Sequence, residues 1–161
     1  MNYLLVGRSG VLETIIAALV LLNGAEVSVE DINQVGAFAD INRDKKGEPI
    51  FIKADQVGNK VYTLGISNYK LISKISTELA RVAGQEKPNL TVITIEIKGD
   101  NITYYLSRLG TLPIVGSLFL NLAKQRLLSR RPQIINACKD IVYHRFPNNI
   151  MLVSAKPIRE S

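Results

Sequence analysis

At 161 residues the chain has the length of about one domain, and with 47% apolar residues, 21% charged residues, 11 Gly and 6 Pro it carries enough apolar material for a core and too little polar bias for disorder. A single cysteine and a single histidine exclude a disulfide within the chain and a self-contained Cys/His zinc site, which fits a reducing cytoplasm. Imidazole-based hydrolysis would have only His144 to work with, and that residue sits at the end of a predicted helix without an obvious partner.

The formal charge of +6 is unevenly placed. Residues 1–100 hold 11 Lys/Arg against 12 Asp/Glu, whereas residues 101–161 hold 9 against 2, so the basicity belongs to the last third. Its clustered members Lys124, Arg126, Arg130 and Arg131 form either a solvated helix face or a site for a polyanion, which gains from released counterions. No aromatic stacking platform accompanies them in sequence, which ranks nucleic-acid binding below the other readings. The longest apolar run, residues 15–22, is far shorter than the ~20 residues a membrane span needs. Arg8 before that run and Gly24-Ala25 after it have some look of a secretory signal, but Glu13 interrupts the approach and residues 1–6 read as a strand. No membrane partner is expected, and the expected location is the cytoplasm.

Residues 3–6 form a short apolar strand, Gly7-Arg8-Ser9-Gly10 breaks it, and residues 11–22 resume as a helix that stops at Asn23-Gly24. Ser28 followed by Glu30 and Asp31 resembles an N-cap with acidic residues in the first turn of a short helix reaching about Val35. Residues 40–48, polar and charged, read as a surface loop. Residues 49–52 and 61–64 are β-rich and separated by Gly58-Asn59, which predicts a hairpin or a closely spaced pair of strands.

Residues 68–83 place Ile72, Ile75, Leu79 and Val82 at helical spacing and end at Gly84. Residues 90–97 are a nearly continuous β-branched run with the look of a central strand buried on both faces. Residues 101–109 suit a short helix, and 118–123 suit a buried strand or a buried helix equally. Pro132 fits the first turn of a last helix that carries Ile134, Ile135, Cys138, Ile141 and Val142 on one side, making Cys138 a buried, unreactive core residue. Residues 146–149 end that helix and 150–154 suit an edge strand. Alternating strands and helices predict a three-layer α/β sandwich with a mostly parallel sheet of about five strands, one domain over 1–154 and a loose tail at 155–161.

Ligands of such sheets collect beyond the carboxyl ends of the strands. That rule gathers Gly7, Arg8, Ser9, Gly10 and Thr14 after the first strand, Gly65, Ser67 and Asn68 after the hairpin, and Lys98, Asp100 and Asn101 after the β-branched run. The Gly7 to Gly10 loop has the geometry for an anion, with glycines, amides and a helix N-terminus, or it is an ordinary strand-to-helix turn. A nucleotide-binding lysine is missing, since Val11-Leu12 follow Gly10. Glu96 and Asp100, four apart around a strand end, are either an acid/base pair or ordinary surface acidity. The expected partner is an anionic small molecule, bound rather than turned over. A non-catalytic interaction module that docks on a partner or on a second copy of the chain is the alternative. No cofactor is specified by any motif.

Gly58-Asn59-Lys60-Val61-Tyr62-Thr63-Leu64-Gly65, with Asn68 and the helix after it, resembles the G-N-x-V-Y-T-L-G segment of the bacterial domain of unknown function 3189 family, found mainly among spore-forming Gram-positive bacteria. The resemblance extends from residue 2 to about 142. Ser9-Gly10, Thr14 and Ala17-Ala18 are similar to a glycine, histidine, serine pattern leading into an alanine-rich helix. Leu12 and Glu13 stand where members of the family tend to have histidine and serine, and Gly7 stands near a place often aromatic. An activity of that loop in relatives would therefore be weakened or repurposed here. The resemblance implies an α/β fold and a bacterial cytoplasmic setting, and it brings no catalytic residues to transfer.

Overall fold

The computed structural model describes residues 2–86, 90–97 and 100–143, with the backbone alone at 69, 83–86, 100 and 139–143. Strand β1 (Asn2–Gly7) alternates, as its period of two requires: Leu5 enters one apolar cluster while Leu4 and Val6 enter another on the opposite face. Helix α1 (Glu13–Asn23) is buried along residues 13–21, the expected outcome for a stretch that is apolar all round. It lies between the sheet and the last helix, and each fully buried Ile or Leu in it stabilises the fold by about 1.5–3 kcal/mol. Gly24, at φ +80°, ends it by donating its N–H to the Val20 carbonyl at 2.9 Å.

Helix α2 (Val29–Gln34) starts at a full capping box: the Ser28 hydroxyl accepts from the Asp31 N–H, and the Asp31 carboxylate accepts from the Ser28 N–H. These bonds from Ser28, its hydroxyl first, hold the Asp31 carboxyl below its ordinary value. Within 40–48, expected as a loop, the structure forms the single-turn helix α3 (Ile41–Asp44), capped by the Asp40 carboxylate on the Arg43 N–H. Ile41 and Asp44 are buried there, so the polar composition misled.

Strands β2 (Ile50–Ala54) and β3 (Lys60–Gly65) form the expected hairpin. Its turn is organised by Asp55, whose carboxylate accepts the N–H groups of Val57 and Asn59 and the Asn59 side-chain amide, with Gly58 at φ +87°. Helix α4 (Tyr69–Glu86) runs through Gly84 rather than ending there; its most buried line is Ile72, Ser76 and Ala80, and Val82 is exposed. Strand β4 (Leu90–Thr94) is followed by α5 (Asp100–Leu109), α6 (Gly116–Ser129) and α7 (Arg131–Tyr143). Residues 118–123, open to either reading in sequence, lie in α6, where Ala123 and Leu127 are buried one turn apart. Pro132 sits in the first turn of α7, and Ile134 and Cys138 are buried against the α1 side of the sheet. His144 and the expected edge strand at 150–154 lie outside the described residues, as does the proposed tail.

The sheet has the order β2-β3-β1-β4, with β1 parallel to β3 and to β4 and β2 antiparallel to β3. This is an α/β fold with a mixed sheet, not a mostly parallel one, and with four strands among the described residues rather than five. The short turn at 55–59 is the reason for the mixture, since a five-residue connection can join only antiparallel neighbours. The β-branched run is indeed a strand, yet among the described residues it lies at an edge of the sheet and β1 takes an inner place. Its both-sided burial comes from α4 on one face and the α1 cluster on the other, where Ile93 and Ile95 join the core. No helix among the described residues is long and apolar enough to cross a membrane.

Candidate functional site

The parallel strands β1, β3 and β4 bring their carboxyl ends together: the Gly7 carbonyl accepts from the Ile66 N–H at 2.8 Å, and the Val6 carbonyl from the Ile95 N–H at 2.7 Å. The loop after β1 and the start of α1 are buried at Ser9, Gly10, Glu13 and Thr14. The amides of Ser9 and Gly10 and the hydroxyls of Ser9 and Thr14 are satisfied from within the chain. The Ser9 N–H donates to Glu13 Oε1 at 2.8 Å and the Gly10 N–H to Asp44 Oδ1 at 2.7 Å. The Ser9 hydroxyl donates to Asp44 Oδ2 at 3.1 Å, the Thr14 hydroxyl to the Ser9 carbonyl at 2.7 Å, and the Thr63 hydroxyl to the Gly10 carbonyl at 2.6 Å. Of the loop amides expected to be free for an anion, those of Ser9 and Gly10 therefore already hold carboxylates of the chain itself.

Gly65 stands against this loop. A Cβ there would come within 2.6 Å of the Gly10 nitrogen and closer still to Asp44 Oδ1, so the two loops approach as closely as they do only because both residues are glycine. Asn68 is exposed and caps α4, its Oδ1 accepting the Lys70 N–H at 3.1 Å. Gly7, Ser9, Gly10, Thr14, Gly65 and Asn68 thus all have positions that the fold itself requires.

Arg8 departs from its neighbours. Only 8% exposed, its guanidinium lies 4.4 Å from the centroid of the Tyr104 ring and 5.0 Å from that of Tyr105, and its Nη1 donates to Asn101 Oδ1. Its Nε is buried with no hydrogen-bond partner, and among the described residues no carboxylate pairs with it. Arg108, one turn along α5 from Tyr104, stacks on the same ring at 4.9 Å. Arg108 Nη2 donates to Asp44 Oδ2 at 3.2 Å and to the exposed Ser67 hydroxyl at 3.4 Å. One tyrosine ring therefore lies beside two guanidinium groups, and Ser67 and Asn101, both exposed, border them.

Asp44, Tyr104, Tyr105 and Arg108 were not among the residues that the sequence nominated for this site. Asp44 was hidden in a charged stretch; its signal was the N-cap Asp40 three residues before the first turn ends, which argued for a helix and so for a buried side. The structure puts Tyr104 beside Arg8 and Arg108, and Tyr105 beside Arg8. Lys98 lies outside the described residues, and Asp100 is described only as the first backbone position of α5, so the Glu96–Asp100 pairing has no described geometry.

The four basic residues of the last third are spread. Lys124 lies over the Phe38 ring at 5.8 Å, while Arg126, two positions on, points about 200° away around α6. Arg130 caps α6 and donates from Nε to Gln133 at 3.4 Å. Arg131 borders an open hollow of about 530 Å³ beside residues 25–28. That hollow is lined by residues that follow the end of α1, whereas Arg8 precedes its start.

Burial pushes the Asp44 carboxyl above its ordinary value of 3.8, outweighing the Gly10 amide, Arg108 and the Ser9 hydroxyl, which lower it. A carboxyl that holds its proton more tightly folded than unfolded contributes most to stability below its unfolded value, and that contribution is lost as pH rises through its folded value. Urea unfolding of the wild type and Asp44→Asn from about pH 4 to about pH 7 is expected to show the wild type losing stability relative to the variant as pH rises. A difference independent of pH contradicts this account. Gly65→Ala is expected to cost about 1–3 kcal/mol by the same unfolding measurement, because the added methyl meets both the buried Asp44 carboxylate and the Gly10 backbone nitrogen, which cannot move aside.

No curated protein and no solved structure matches the chain. The family whose model does match is described as a protein of unknown function, DUF3189, and the match covers residues 6–141, which contain the hairpin segment, the β1 loop and the arginine–tyrosine cluster alike. With most of its length matched in this way, the chain belongs to the DUF3189 family.

Proposed function

We propose that the chain binds a phosphorylated or other anionic ligand at the carboxyl ends of its strands, within a three-layer α/β domain, and that arginine side chains rather than loop amides hold it. One observation carries this reading: Arg8 is a nearly buried guanidinium with no carboxylate partner among the described residues. A buried charge without a counter-charge costs several kcal/mol, and two aromatic faces and one amide oxygen offset only part of that. An anion seated between Arg8 and Arg108 supplies what is missing, and the exposed Ser67 hydroxyl beside Arg108 gives it a further donor and a route from solvent. The reading is of binding rather than turnover, because Ser9, the hydroxyl in the loop, is fully buried and committed to Asp44.

A second reading rests on the connection between α5 and α6. Leu109, Leu112, Val115 and Leu118 are exposed there, and Ile114 is 99% exposed with φ +75°, a conformation that a β-branched residue rarely adopts. A second copy of the chain docked on this face would cover it. Light scattering over a range of concentrations tests this: a dimer that Leu118→Glu dissociates is expected, and a wild type that stays monomeric removes the reading.

Thermal shift and calorimetric titration with phosphate, phosphosugars and citrate test the anion reading. At ten times its Kd an anion adds about 1.4 kcal/mol, enough to raise Tm by a few degrees. Arg108→Lys keeps a cation for Asp44 but lacks the planar fork, so it is expected to weaken binding several-fold. Absence of stabilisation by every anion would overturn the proposal.

A further inference from the structure

Tyr105 is 61% exposed although Arg8 stands 5.0 Å from its ring centroid and the Tyr104 ring meets it edge-on at 5.7 Å. Two neighbours therefore hold the ring in place while most of the residue faces water. An exposed ring that is also fixed loses little freedom when something stacks on it, which is the property of aromatic binding platforms. Ile102 and Leu109, three residues before and four after Tyr105 on α5, are exposed too, at 53% and 40%. Helical spacing puts all three on one face, so an apolar strip with an aromatic ring at its middle runs directly beside the arginine pair.

An inorganic anion would use the guanidinium groups and leave this strip uncovered. A sugar phosphate would set hydroxyl groups against Ile102, Tyr105 and Leu109, none of which except the tyrosine oxygen can answer them. A flat apolar ring attached to the anionic group satisfies both halves at once, with the ring against Tyr105 and the charge at Arg8 and Arg108. We infer that the ligand of this site is an aromatic phosphate, a planar ring joined to a phosphoryl group directly or through a short linker, with Tyr105 as the residue that selects for the ring. The inference rests on the anion reading above and specifies its ligand class. Aryl phosphates and nucleoside monophosphates share this chemistry, and the test separates them.

Calorimetric titration of the full chain with inorganic phosphate, phenyl phosphate and adenosine monophosphate decides it. At least one of the two ring-bearing probes is expected to bind about fivefold or more tightly than inorganic phosphate. The better of the two identifies the ring type. Tyr105→Ala is expected to bring the affinity ratio of that probe to inorganic phosphate close to one, and Tyr105→Phe to retain it, because the phenyl face rather than the hydroxyl makes the contact. Circular dichroism of both variants at the exposed position checks that they fold. Inorganic phosphate binding with no gain from either ring overturns this inference and leaves the anion reading standing, as does a gain that survives in Tyr105→Ala. Binding of none of the three probes overturns this inference, and together with no stabilisation by phosphosugars or citrate it overturns the anion reading as well.

Discussion

The Asp44 carboxylate joins the parts of this molecule that otherwise have no covalent reason to meet. It accepts from the Gly10 N–H and the Ser9 hydroxyl on the β1 loop and from Arg108 on α5, across sequence separations of 34, 35 and 64 residues. With its side chain 1% exposed, it carries the desolvation cost of a buried carboxylate, which three donors, one of them charged, offset only in part. Removing any of the three would leave the buried carboxylate one donor short, so loop, single-turn helix and α5 depend on one another. The same bond orients Arg108, which in turn faces Tyr104 and Ser67.

The β1 loop shows how an anion-binding geometry can be used internally. Strand, glycine-containing turn and helix start present amides in the usual way, but Glu13 and Asp44 occupy the Ser9 and Gly10 N–H groups. A carboxylate at the first position of α1 also interacts favourably with the helix dipole. The loop is thereby fixed rather than vacant, and positive charge at the strand ends is presented by side chains. Arg8 is held in place by this arrangement: its neighbours Gly7 and Ser9 are both locked, and its guanidinium leaves the loop toward α5.

The hairpin segment that carries the family resemblance has a physical reading residue by residue. Gly58 takes a left-handed conformation in the turn, Asn59 is bonded to Asp55, Val61 and Thr63 are buried, and Gly65 permits the approach of Gly10. Both ends of the motif are thus positions where a side chain would collide or strain, and its middle alternates inward as a strand next to β1 must. Thr63 further donates to the Gly10 carbonyl, so the motif supports the β1 loop as well as the sheet.

Sequence by itself determined the local elements wherever a short-range rule governs them. The capping box at Ser28, the Gly24 stop, the Asp55–Asn59 turn region, the all-apolar α1 and the helical spacing of α4 are all set within a few residues, and each was readable from those residues. Burial of the β-branched run was readable too, but its place at the sheet edge was not, because strand order depends on which strands pair across the chain. The same limit hid the site: Asp44 looked like surface, and the arginine–tyrosine cluster joins position 8 to positions 101–108. Charge pairing and ring stacking act through space with no periodicity along the chain, so only the tertiary structure could decide that the basic residue in the first loop meets the tyrosines of α5.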